Sequence, residues 1–347
     1  MATLFANSMK DGVKNAYLAI LLILAMGISI FHGATPINWG GINSFAQIFI
    51  KDDRLQMMTI FWELRLPRVI FSAIVGLVLG YCGALTQGLF RNPLAEPGLL
   101  GISAGAAAAA AFVILFVFSS QSSIAIPGGL RPYILPISAF MGALIICYLL
   151  NQLAKLLTDH SGVIFLLIGL SLNAMIAAWL GLCAYLADDE QLRNLSFWTL
   201  GTLNSASWSL IAVLTILMIL SYVQLRHKAK ELNALSLGHS VAMHLGIKVA
   251  YLRQEIITWI ALLNGFIVSW CGMISFVGLI APNMARLLVG SDQTKLIPTS
   301  MLIGSLILVV ADGLSRNLAI PAEIPVGIFT ALLGGPVFLM IILKHRS

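Results

Sequence analysis

Ten apolar stretches, each close to the length that crosses a bilayer as a helix, recur along the chain and constrain it more than any other feature. They run at about residues 17–33, 69–90, 98–118, 133–157, 163–186, 208–225, 249–268, 274–290, 297–314 and 324–343, with Pro, Gly or charge between them. A hydrocarbon core about 30 Å thick takes about 20 residues of helix. No water inside it can satisfy a stray backbone group, so the segments must close their own hydrogen bonds. The expectation is an all-α polytopic membrane protein of about ten transmembrane helices, with residues 1–347 forming one transmembrane domain.

Composition excludes the other broad classes. The chain is 59% hydrophobic and 10% charged, where a soluble domain is about half apolar and a quarter charged. A soluble enzyme, a secreted disulfide scaffold and a disordered adaptor are all ruled out. The formal charge of +6 does not point to nucleic acid, because the 20 Lys and Arg are scattered singly and build no basic stripe. The four cysteines, Cys82, Cys147, Cys183 and Cys271, lack the spacing of a metal site or redox pair and read as small packing residues. The first apolar run shows no small-residue cleavage site and reads as a retained span.

Ten spans put both termini on one side. Assigning loops alternately gives that side most of the basic residues, among them Lys10, Lys14, Lys155, Arg226, Lys228, Lys230, Lys248, Lys344 and Arg346. The positive-inside rule then places both termini in the cytoplasm. Of the connections, 34–68 and 187–207 are the long ones outside. The first reads as carrying a short amphipathic helix around Phe45 to Trp62, the second a short helix at the interface. The long inside connection is 226–248, and no connection is large enough for a separate catalytic domain. Gly76, Gly80, Gly83, Gly101 and Gly105 read as places where helices approach closely.

A chain that moves solute needs an energy source. No Gly-rich phosphate loop ending in Gly-Lys-Ser/Thr is present, so the chain does not hydrolyse ATP itself. Ion-coupled transporters keep ionisable residues at mid-membrane, and here Glu255 and Asp312 read as lying near span ends, which disfavours a secondary transporter. The polar residues within spans are neutral: Gln87, Ser103, Ser171, Asn173 and Asn264. They read either as interhelical hydrogen bonds or as a weakly polar pathway for a bulky solute, and Ser171 and Asn173, two apart on a helix, must face different ways. Segment 226–248 begins basic and continues as LNALSLGHSVAMHLG, broken at Gly238 and Gly246. It reads as two short helices about a glycine turn, either an ordinary solvated loop or a knob for a partner that hydrolyses ATP.

Five segments in order, LRLPR (64–68), QGLFRNPLAEPGLLG (87–101), LSLGHSVAMHLGI (235–247), ISFVGLIAPNMARLL (274–288) and EIPVGIFTALLGGPVF (323–338), resemble the motifs of the FecCD-type permeases of iron-siderophore, heme and cobalamin ABC importers. The resemblance implies a ten-helix permease in a bacterial inner membrane that works as a homodimer. It further implies two ABC ATPase subunits below, which hold ATP and Mg, and a periplasmic substrate-binding protein above; the chain itself would bind no cofactor, metal or nucleic acid. By motif, Arg65, Arg68 and Arg316 would dock the binding protein as exposed cations, the alternative being headgroup anchors. Leu237, Gly238, His239, Leu245 and Gly246 would seat in the ATPase, with His239 and His244 as contact residues rather than metal ligands. Asn92 and Leu94, with Ser161 and Gly162, would close the cytoplasmic end of the pathway, and Ser171 or Asn173 would line it. AYLADDEQLRNLSFWTLG (184–201) is most similar to the heme branch, which makes heme the expected cargo and a ferric siderophore or cobalamin the alternative.

Overall fold

A computed structural model describes residues 2–32, 58–119, 127–157, 162–320 and 322–344. Among them there is no strand. Helix α1 covers Ala2–Phe31, starting well before the apolar run. A π-helical turn, Ile60–Arg65, runs without a break into α2, Leu66–Phe90, and Pro67, which has no N–H to donate, falls just past the junction where the hydrogen-bond register shifts. Then come α3 (Ile102–Phe112), α4 (Arg131–Leu157), α5 (Gly162–Leu186) and α6 (Asp189–Leu200). Next are α7 (Trp208–Leu225), α8 (Lys228–Ser236), α9 (His239–His244) and α10 (Val249–Cys271). The chain ends with α11 (Val277–Val289), α12 (Gln293–Asn317) and α13 (Val326–Lys344).

Among the described residues, seven helices are long and apolar enough to cross a membrane, and three shorter apolar ones, around α3, α11 and α13, fall on the remaining expected spans. The interfacial helix expected in 187–207 is α6, started by a capping box in which Asp188 and Gln191 satisfy each other's backbone N–H. The helix expected around Phe45 to Trp62 falls largely outside the described residues.

The small residues explain how the bundle closes. α2 lies along α12 with Gly76 against the Gly304 carbonyl and Gly80 against that of Ser300, and Gly83 meets Gly278 of α11 in the same way. A Cβ at any of these would collide with backbone, so larger residues would push the helices apart. Gly105 and Gly142 make the equivalent crossing of α3 with α4. α2 is buried almost throughout and forms the axis of the core. From Asp11 onward α1 buries only Leu18 and Ser29 and is held by polar clamps, Asp11 to Lys295 at 2.8 Å and Thr299 Oγ1 donating to Asn15 Oδ1 at 2.8 Å.

Two segments break the helical rule. α11 has 13 residues, about 20 Å of helix at 1.5 Å per residue, too short to cross alone. The preceding turn bends at Gly272 (φ 70°) and Phe276 (φ 68°). Residues 91–101, with a 3₁₀ turn at Pro97–Leu100, fold back against the start of α11, where Pro97 lies beside Gly278. Irregular backbone beside membrane helices is tolerated where protein covers it or where it lines a cavity.

Candidate functional site

The segment between α7 and α10 folds as the sequence suggests. α8 is anchored by buried Ala229, Leu232 and Leu235, and α9 by buried Ala242. Between them Gly238 takes φ 133°, ψ 154°, a conformation essentially reserved for glycine. Gly246, at φ 81°, ends α9. The turn leaves apolar side chains in the open: Leu237 is 71% and Leu245 63% exposed, with Val241 and Met243 beside them. His239 is half-buried at the start of α9, and the ring Nδ1 of His244 lies 2.7 Å from the Ser240 carbonyl. Each buried leucine is worth about 1.5–3 kcal/mol, so this cluster offers a partner several kcal/mol of contact, and contiguous exposed apolar surface marks interaction sites.

The knob is tied to the bundle. Asn233 of α8 donates to Asp292 Oδ1 at 2.7 Å and accepts the Gln293 N–H at 2.8 Å. Asp292 also caps α12 by accepting the Thr294 N–H and hydroxyl at 2.9 and 2.8 Å. Burial opposes ionisation of Asp292, but the hydrogen bonds from Asn233 and Thr294, with Lys295 nearby, hold its carboxyl below the usual carboxylate range.

At the opposite end the expectation of three exposed cations is corrected. Arg65 is 6% and Arg316 7% exposed. Arg65 donates to the Ile30 carbonyl at 3.1 Å. Arg316 pairs with Asp312 at 3.0 Å and donates to the Ser29 hydroxyl at 2.5 Å. Arg68 binds Asp312 from its Nε and Nη2, each at 3.0 Å, and grips both oxygens of Glu323 from Nη1. Asp312 is wholly buried between the two guanidinium groups. The physical reason is desolvation: a charge at the edge of an apolar bundle is too costly to leave alone, and the chain supplies its own counter-ions. The local signal for this pairing is Asp312 itself, four residues before Arg316 on one helical face.

Of the four expected gate residues, Asn92 and Leu94 lie on the segment 91–101, which is re-entrant in that it folds back against α11. Asn92 Oδ1 accepts the Leu94 N–H at 2.9 Å, an Asx turn that presents Leu94 to the surface. Ser161 lies outside the described residues, and Gly162 begins α5. Of the two expected pathway residues, Ser171 is exposed and bonds back to the Leu167 carbonyl, whereas Asn173 turns to the re-entrant segment and donates to Gly98 O at 3.3 Å. Asn173 is therefore engaged in holding that segment.

Residues 21–344 match the profile of the FecCD transport family. The chain belongs to this family. It is 38% identical over 95% of its length to the hemin transport system permease protein HmuU of Yersinia pestis, covering 95% of that protein. It is also 36% identical over 86% to the iron(3+)-hydroxamate import system permease protein FhuG of Bacillus subtilis, covering 88% of it. Among solved structures, one described as an inward-facing, metal-chelate type ABC transporter superposes with a TM-score of 0.82 at 29% identity, covering 96% of this chain and 99% of that one. As a FecCD member the chain is an ABC importer permease, with ATP hydrolysis carried by a separate subunit.

Proposed function

We propose that this FecCD permease carries heme from periplasm to cytoplasm, as one of two copies in an inner-membrane complex with both termini in the cytoplasm. The observation that carries the cargo assignment is the 38% identity to the hemin permease over 95% of both chains. Two ATPase subunits seat on the α8–α9 knob through Leu237, Gly238, His239, Leu245 and Gly246. The exposed leucines supply the area, and the glycine turn sets the angle between the helices. A periplasmic binding protein docks at the arginine end. Because Glu323 already holds Arg68, a partner carboxylate reaches Arg68 by replacing Glu323, while Arg65 and Arg316 position the site from beneath.

Asn92, Leu94, Ser161 and Gly162 close the cytoplasmic mouth, and Ser171 contributes a weakly polar wall. A carrier pathway should hold its cargo loosely, since tight ligation slows release. The second reading, a ferric-siderophore permease, rests on the hydroxamate relative at 36% identity. Vesicles containing the permease, its ATPase and a matched binding protein for each cargo decide between them. The heme reading expects ATP-dependent heme accumulation and little siderophore uptake, with no heme-ligation spectrum from the permease alone. Robust siderophore uptake with no heme uptake overturns the cargo and leaves the permease standing.

A further inference from the structure

The half-length helix α11 is held by polar contacts that lie between the re-entrant segment carrying Asn92 and Leu94 and the α8 side of the α8–α9 knob. At its start Pro97 of the re-entrant segment packs beside Gly278. Near the middle of α11, the Asn283 amide donates at 2.9 Å both to Pro93 O on the re-entrant segment and to Leu279 O within α11. Arg286 then bridges Asn283 Oδ1 at 2.7 Å and Gln87 Oε1 at 3.0 Å, and Gln87 donates back to Leu279 O at 3.2 Å. At its end the Leu288 carbonyl accepts from Lys14 at 2.6 Å. Three residues beyond α11 stands Asp292, which Asn233 ties to α8.

The two non-glycine residues with positive φ among the described residues are Arg91 (51°) and Phe276 (68°). They stand where the re-entrant segment leaves α2 and where α11 begins. Backbone of that kind persists where its surroundings over-determine it, and it recurs at elements that switch.

We propose that α11 is the strut through which the α8–α9 surface and the Asn92–Leu94 gate move together, with Asn283 the positioning residue at the gate and the Asn233–Asp292 pair the joint at the other end. The inference rests on the ATPase-seating role of α8–α9 and on the gate role of Asn92 and Leu94. A displacement of α8 is passed by Asn233 to Asp292 at the junction of α11 and α12. α11 is a short rigid helix with a bent turn before it, so it shifts as a unit. Asn283, bound to Pro93 O, carries the re-entrant segment with it. Coupling through a bistable element is biased from both of its ends, and here the named joints are side-chain amides whose removal leaves the apolar packing in place.

The test uses the assembled complex in vesicles with Leu94→Cys as reporter. All four native cysteines are buried, so a charged maleimide reads Cys at 94 with little background. The parent should label at different rates with ATP and with ADP. In Asn283→Asp, the link to Arg286 is kept while both donated bonds are lost; the nucleotide-dependent ratio should fall by roughly 2- to 30-fold, the range of a coupling change of this kind, while ATP hydrolysis continues. A full nucleotide response in Asn283→Asp overturns the strut. Should that variant not assemble, Asn233→Ala, at the half-exposed joint, is expected to flatten the same response, and an unchanged response there also overturns it. Cross-linking from Leu245→Cys to the ATPase checks the underlying reading separately: its absence removes both that reading and the inference, whereas cross-linking with an unchanged label ratio removes the strut alone.

Discussion

The two ends of this permease handle exposed chemistry in opposite ways. The arginine end is closed on itself: Arg65, Arg68 and Arg316 are buried or nearly so, and Asp312, Glu323, Ser29 and Ile30 answer their donors from within the chain. The α8–α9 end is open, with Leu237, Val241, Met243 and Leu245 projecting from the two short helices and the turn between them. A charge near an apolar interior has to be paired at once, because desolvating it alone costs several kcal/mol. An apolar side chain in water waits at modest cost and returns that cost when a partner covers it. The arginine end is therefore built from the chain's own groups, whereas the α8–α9 end leaves apolar surface for the partner proposed above to cover.

Removing the keystone of the closed end should have the largest effect. Asp312→Ala leaves Arg68 and Arg316 without their shared carboxylate and should cost about 3–5 kcal/mol, the range for breaking one side of a buried pair; a thermal melt in detergent reads it. Near-wild-type stability would mean that the cluster is not the buried network described.

Gly238→Trp is next and acts on the open end. It forces a bulky side chain into a backbone conformation costing about 1–3 kcal/mol for a non-glycine residue and fills the space between α8 and α9. ATP-driven uptake should fall to background while the isolated ATPase still hydrolyses ATP, and normal uptake would remove the coupling assignment.

A smaller effect is expected of Glu323→Gln. The pair with Arg68 is partly exposed, so stability should change by about 0–1 kcal/mol. Affinity for the binding protein should rise at low ionic strength, where surface charge matters most, because the internal competitor has been weakened. An unchanged or lower affinity would show that Glu323 does not stand in for a partner carboxylate.

The smallest effect is a pH dependence at the joint. Asp292 has its folded pKa lowered by its hydrogen bonds, so its stabilisation is complete above the unfolded carboxylate pKa of about 3.9 and is lost as pH falls through the depressed folded value. Coupling between hydrolysis and uptake should thus be insensitive to this group from neutral pH down to mildly acidic pH. A loss near pH 6 that Asp292→Asn abolishes would contradict the assignment.

The same contrast explains what was legible in the sequence. The spans were, because their length and apolarity are local properties. The α8–α9 turn was too, since Gly238 and Gly246 sit at the breaks and the leucines lie between them. The arginine cluster was not: Arg68 meets Asp312 across 244 residues and Arg316 meets Ser29 across 287, and no local pattern announces such pairs. Motif puts the three arginines together at one end, and the only local sign that the chain occupies one of them is Asp312, four residues before Arg316 on the same helix. The half-helix was hidden because the apolar run 274–290 reads as one span, while its first residues are a bent turn. Asn283 and Arg286 lay in a quoted motif, three apart on one helical face, and that spacing was the signal for the clamp.

The direct test of the open end as the ATPase seat is binding of the purified ATPase subunit to the detergent-solubilised permease carrying Leu237→Asp and Leu245→Asp together. Both side chains are exposed, so the melting temperature should stay near wild type while co-purification of the ATPase is lost. Wild-type binding by the doubly substituted, folded permease would contradict the account.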